Sequence, residues 1–177
     1  MERFKLSPCG RYMGLHQHEL KGKNGVADFA WWRDGEGLTV VGKGGEVGEW
    51  NMESGSFVAL WNDDGSIGAT VLALGGSNGP KQLGGDRWVV IGSQSGVVNI
   101  YDRKNFVSGK DIKIPQRPEP NRRFLQLTTP TSHLQISPDG QLLAFGRRIS
   151  SVAFGSGSDV LAVGNEAGKI RLWEIRS

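Results

Sequence analysis

Three stretches of the chain repeat one pattern: VVGKGGEVGEW (residues 40–50), VIGSQSGVVNIYD (90–102) and AVGNEAGKIRLWE (162–174). Each reads as a short apolar strand, a glycine-containing turn, and a second strand that alternates apolar with polar and closes on an aromatic. Laid on one another, Trp50, Tyr101 and Trp173 fall in register, as do Val47, Val98 and Ile170, and the turn glycines Gly45, Gly96 and Gly168. The first copy is one residue shorter in its turn. A second phrase recurs upstream of these hairpins: LSPCG at Leu6–Gly10, WRDG at Trp32–Gly35 and ISPDG at Ile136–Gly140. Repetition at this spacing constrains the architecture more than any other feature, because a repeated supersecondary unit buries its apolar faces only against its neighbours.

Five repeat starts can be read along the chain. The first has strands at 3–6 and 12–15, then breaks into a polar stretch, 16–25. The second is complete: 26–31, the Asp34–Gly35 turn, 38–41, 46–50 and 56–61. The third runs 70–74, a glycine-rich insertion 75–85, 88–91, 97–101 and an outer strand at 123–127. The fourth has only 131–136 and 142–145, and the fifth 149–154, 160–163 and 169–175. Short strands bounded by Gly, Pro, Asp and Ser, with no helical period, argue an all-β chain. Glycine, 27 of 177 residues, is about twice its usual frequency, which suits many tight turns. Four strands per repeat at a spacing near ~40–45 residues match a WD-repeat β-propeller. We therefore expect one domain over 1–177, with partial blades at 1–25 and 128–148. Internal breaks at 16–25 and between Phe145 and Ile149 each leave roughly 20–30 residues fewer than the repeat spacing requires. In this reading Ile170 and Leu172 face inward between blades. The turn Asp usual before the hairpin glycine is replaced by Gly44, Ser95 and Ala167, so these blades are expected to lack the internal hydrogen-bond network centred on it.

Composition narrows function mainly by exclusion. No apolar run approaches the ~20 residues of a membrane span, and the N-terminus MERFKLSPCG has no signal-peptide core, so neither membrane insertion nor secretion is expected. The single Cys9 gives no disulfide framework and takes the turn position that Asp34 and Asp139 hold in other copies. GKGGEVG at 42–48 has neither the spacing nor the following helix of a phosphate cradle. His16 and His18 form an HxH that no further ligand completes. His133 aligns with Asp28 and Ser151 and suits a hydrogen-bonding role, and the pair Asp63–Asp64 falls in a turn. We expect no catalytic residue, no metal, no cofactor and no small-molecule substrate.

Charge is the one positive signal. The net charge is +3, yet the segment from Arg103 to Arg123 alone carries seven basic and two acidic residues. Pro115, Pro118 and Pro120 stiffen it into a protruding, non-helical loop. Lys104, Lys110, Lys113, Arg117, Arg122 and Arg123 are the candidate contacts for RNA phosphates, with Phe106 and Phe124 available for base stacking. An acidic protein partner or plain solvation fits the same residues.

GVADFAWWRDGEGLTVVGKGGEV (25–47), IGSQSGVVNIYDR (91–103), QLTTPTSHLQISPDGQLLA (126–144) and LAVGNEAGKIRLWEI (161–175) together resemble the U3 small nucleolar RNA-associated protein 18 family, most of all its fungal members. The resemblance implies a seven-bladed propeller acting as a scaffold, not a catalyst, in the UTP-B subcomplex of the small-subunit processome. It also implies a nucleolar location, pre-ribosomal RNA processing, and other UTP-B subunits, processome proteins, the U3 particle and its precursor RNA as partners. The resemblance also implies a long N-terminal extension with an exosome-recruiting motif, for which we expect no counterpart within residues 1–177. A competing reading comes from Trp173–Arg176 and Tyr101–Arg103, which approximate the WDxR box of substrate receptors for cullin–RING ubiquitin ligases.

Overall fold

The computed structural model describes residues 4–8, 13–15, 25–62, 68–81, 84–108, 111–112, 120, 122–125, 130–146 and 149–175. Strands β1 (Phe4–Leu6) and β2 (Met13–Leu15) pair antiparallel. The second unit is a meander of β3 (Val26–Trp31), β4 (Gly37–Gly42), β5 (Glu46–Asn51) and β6 (Phe57–Asn62). The third runs β7 (Ala69–Gly75), β8 (Trp88–Ser93) and β9 (Val97–Asp102). A small hairpin, β10 (Val107–Ser108) with β11 (Asp111–Ile112), then precedes β12 (Arg122–Leu125), which closes the sheet against β9. The fourth unit is the pair β13 (His133–Ile136) and β14 (Leu143–Gly146). The fifth has three strands, β15 (Ile149–Phe154), β16 (Val160–Asn165) and β17 (Ile170–Glu174). Every pairing is antiparallel, and a 3₁₀ turn follows β9 at Arg103–Phe106. That turn departs from the expected wholly non-helical loop.

The repeats superpose as the sequence implies. Val98 pairs with Gly92 and Ile170 with Gly164, while Tyr101 pairs with Val89 and Trp173 with Leu161. Val47 pairs with Val41, one position short, because the first turn is one residue shorter. Gly45, Gly96 and Gly168 have φ of 90°, 79° and 73°, a region that a side chain strains, so each copy of the turn needs its glycine. Alternation in β7–β9 buries Leu72, Val89, Ile91 and Tyr101 on one face and Val71, Ala73, Val90 and Val98 on the other. The first face joins Trp32, Val41, Val47 and Trp61 of the second unit. The second face joins Leu134 of the fourth, with Ile136, Leu143 and Phe145 around it. The core therefore lies between successive sheets rather than within any one.

Polar links cross the same seams. Asp28 on β3 accepts from the Leu72 N–H at 3.0 Å, Thr70 donates to the Thr131 carbonyl at 2.7 Å, and Gln135 accepts from the Phe154 N–H at 3.1 Å. The turns named in the sequence meet at one rim. Arg33 donates to the Pro138 carbonyl, the Ser158 hydroxyl receives the Asp139 N–H, and Gly140 lies so close to Gly76 that no Cβ would fit.

One expectation fails at β17. Ile170 and Leu172 are 75% and 72% exposed, not inward, because no described element covers their face. The equivalents of Ile170, Val47 and Val98, are buried against the units that follow them.

Candidate nucleic-acid interface and a buried ion network

The basic segment is the connection between β9 and β12. The register sets Arg122 opposite Ile100 and Arg123 opposite Asn99, so the connection leaves and returns at the same rim. Lys104 is exposed at its start, its N–H held by the Asp102 carboxylate at 3.0 Å. The structure thus brings Lys104 and the β12 backbone of Arg122 and Arg123 to the two ends of one loop. Lys110, Lys113 and Arg117 lie outside the described residues, as do Cys9, His16, His18, Asp63 and Asp64. Beside Lys104, Arg87 grips Asp102 through Nε and Nη2 at 3.0 and 2.9 Å and stacks over Trp88 at 4.4 Å. Its charge is largely matched on the spot. His133 Nδ1 lies 3.2 Å from the Ser132 hydroxyl, in keeping with a hydrogen-bonding role.

Phe106 and Arg103 are not available for a ligand. Phe106 is buried, its ring 4.7 Å from that of Trp61, so it is core and not a stacking platform. The backbone of Phe124 runs in β12, opposite Val98. Arg103, counted by sequence among the loop's positive charges, has no exposed surface at all.

Arg103 instead anchors a network that sequence reasoning missed. Its Nη2 meets Glu49 Oε1 at 3.1 Å, its Nη1 lies 4.0 Å from Asp86 Oδ2, and its guanidinium sits 5.6 Å above the Trp32 ring. Glu49 Oε2 accepts from Trp32 Nε1 and from Thr39 Oγ1, both at 2.7 Å. Asp86 also takes the Arg33 N–H at 2.8 Å. Burial pushes the Glu49 carboxyl above the usual carboxylate range, against the opposing pull of Arg103, Thr39 and Trp32. Burial likewise raises Asp86, offset in part by the Arg33 N–H and by Arg103. Strand β5, the turn after β3, the approach to β8 and the exit from β9 are thereby tied together. Where the turn Asp is missing, this arrangement supplies polar order to the seam between the second and third units. A hint was present in the sequence: Glu49 occupies a position that β9 fills with Ile100 and β17 with Leu172.

Among the described residues, no group of three or more His, Cys, Asp or Glu could hold a metal ion, and no helix is long and apolar enough to cross a membrane. The chemistry on offer is charge and shape.

No protein-family model matches the chain. A curated relative from Saccharomyces cerevisiae, U3 small nucleolar RNA-associated protein 18, is 33% identical over 175 residues, covering 78% of this chain. The probable Schizosaccharomyces pombe counterpart is 29% identical over 220 residues and 99% of the chain, and the Drosophila melanogaster homolog is 30% identical over 81%. The chain is homologous to U3 small nucleolar RNA-associated protein 18. It spans only 28%, 40% and 29% of the lengths of these three relatives. A chain in the crystal structure of the mitotic checkpoint complex matches with a TM-score of 0.65 at 17% identity, over 98% of this chain and 55% of that one. That likeness is one of fold, and it is WD-repeat-like. The ligase-receptor reading is not favoured, since the relatives carry another name.

Proposed function

We propose that the chain works as a non-catalytic scaffold of the small-subunit processome, in the nucleolus, on the pathway that processes ribosomal RNA precursor for the small subunit. The observation that carries this reading is homology across 78–99% of the chain to proteins named for their association with U3 small nucleolar RNA. The partners that follow are other UTP-B subunits, further processome proteins, the U3 particle and its precursor RNA. Affinity purification of the tagged chain, with mass spectrometry and sequencing of bound RNA, tests it. Recovery of UTP-B proteins and U3 RNA is expected. Recovery of a cullin adaptor with neither of these would contradict the assignment.

In this reading the five units are blades of a WD-type propeller, two complete and three partial, from a family whose ring has seven. Spacing supports a break in the fourth unit. From a unit's second strand to the next unit's first, Val41 to Val71 is 30 residues and Gly92 to His133 is 41, but Gly146 to Ser151 is only five. The fission-yeast match extends over 220 aligned positions, at least 43 more than this chain has residues. A third and fourth strand of that blade are the simplest content for part of the difference.

For direct RNA contact the surface is Lys104, Lys110, Lys113, Arg117, Arg122 and Arg123. Six cations along the connection after β9 and the start of β12 favour a phosphate backbone and give binding that weakens steeply with salt. Replacing all six with serine is expected to lower RNA crosslinking several-fold while shifting stability little, since exposed charges contribute ~0–1 kcal/mol each. Unchanged crosslinking in a folded six-serine variant would remove this loop from the interface.

A further inference from the structure

The third unit departs from the second at one rim. There the second unit turns within 32–36 and 52–56, whereas the third inserts 76–87 between β7 and β8 and the basic connection 103–121 after β9. Insertions in a repeat array gather on one face, often the binding face. The two insertions are tied together where they emerge. The Arg103 N–H binds the Arg87 carbonyl at 2.8 Å, and Asp102 holds the Arg87 guanidinium on one oxygen and the Lys104 N–H on the other. Trp88 stands opposite Asp102, at the register position that the second unit gives to Gly37 and the fifth to Val160. Arg87 lies over its ring at 4.4 Å, where the equivalent residues are acidic, Glu36 and Asp159. A Cβ at Gly76 would come within 2.6 Å of Trp88 Cδ1, so glycine there makes room for the indole.

We propose that the Arg87 guanidinium, laid on Trp88 and pinned by Asp102, is a plate on which one unpaired RNA base stacks, while the connection that opens at Lys104 holds the neighbouring phosphates. The plane has one edge on the carboxylate and one face on the indole. Its side chain is still 38% exposed, which leaves the opposite face for a planar group. Guanidinium planes and aromatic rings are the surfaces on which single-stranded bases stack, whereas the bases of a duplex keep their faces to one another. A side chain pinned from two sides loses little freedom on binding. With its charge matched by Asp102, the plate adds affinity that salt hardly screens, unlike the lysines of the connection. The second and fourth units both reach this rim, through the Arg33 N–H on Asp86 and Gly140 against Gly76, and leave Arg87 open. The inference rests on the reading that this connection contacts RNA. It adds the class, single-stranded, and the residue that meets a base where Phe106 does not.

Fluorescence anisotropy of the full chain with a short labelled oligoadenylate, and with the same backbone carrying no bases, tests it. Arg87→Lys keeps the charge beside Asp102 and removes the plane. It should weaken oligoadenylate binding about five- to tenfold, leave the abasic strand unaffected, and leave the slope of log affinity against log salt unchanged. Trp88→Val, the residue the fifth unit has at this position, takes away the support and should weaken binding in the same base-dependent way. The six-serine variant should instead flatten the salt slope on both strands. Arg87→Lys that binds oligoadenylate like the parent chain would overturn the plate, and with a flattened slope in the six-serine variant the RNA reading would still stand. Equal loss on the abasic strand would also overturn it, by making Arg87 a phosphate contact. A parent chain that binds neither strand would overturn both, and binding of polyglutamate in their place would make the occupant an acidic protein.

Discussion

Replacing Arg103 with methionine is expected to cost about 3–5 kcal/mol, the range seen when one partner of a buried ion pair is removed. The side chain has no solvent contact and lies 3.1 Å from Glu49 and 4.0 Å from Asp86. Without it, Glu49 keeps only the hydrogen bonds from Trp32 and Thr39, while Asp86 keeps the Arg33 N–H and the Arg33 guanidinium at 3.8 Å. The burial that already pushes both carboxyls up would then act unopposed by the Arg103 guanidinium. At about 2–4 °C per kcal/mol for a chain of this size, thermal melting should fall by roughly 10 °C. The double variant Arg103→Met/Glu49→Gln should recover a large part of the loss, because the penalty of the single change is mostly the uncompensated charge it strands. Additive losses in the double variant would show that Arg103 acts through packing alone.

Trp61→Ala should be comparably damaging, at about 3–5 kcal/mol for a large aromatic deleted from a core. Trp61 is 7% exposed and reaches from β6 to Tyr101, 5.4 Å between rings, and to Phe106, 4.7 Å. It is the main apolar bridge between the two complete sheets. Its indole Nε1 is buried with no hydrogen-bond partner. Trp61→Phe therefore gives up area but also relieves a desolvated donor, and should cost far less, on the order of 1 kcal/mol. Urea melts of the two variants check this; equal losses would mean that ring volume, not the bridge across the seam, limits stability.

Much of the fold was legible because the hairpin repeats three times with its glycine and its aromatic in register. Each repeat fixes strand direction, turn position and the residue that must adopt positive φ, and these are local matters. What lay between the repeats was harder to read. Glu49, Arg103, Asp86 and Trp32 are far apart in sequence, and each alone resembles a surface charge or a turn residue. Only the packing of the second sheet on the third makes them one network, so sequence alone counts Arg103 with the loop. Phe106 misled in the same way: next to a basic run it resembles a stacking residue, yet the 3₁₀ turn after β9 aims it at Trp61. Ile170 and Leu172 show the reverse error, since alternation identifies an apolar face but cannot say whether anything covers it. Of the candidate contacts, Lys104 opens the connection after β9, and the backbones of Arg122 and Arg123 lie where it ends, in β12.

The most direct test of the central claim is to deplete the full-length protein from cells and follow small-subunit ribosomal RNA precursors by northern blotting. A scaffold of the small-subunit processome predicts that unprocessed precursor accumulates and mature small-subunit RNA falls, while large-subunit RNA is largely spared. Normal precursor processing after complete depletion would contradict the account.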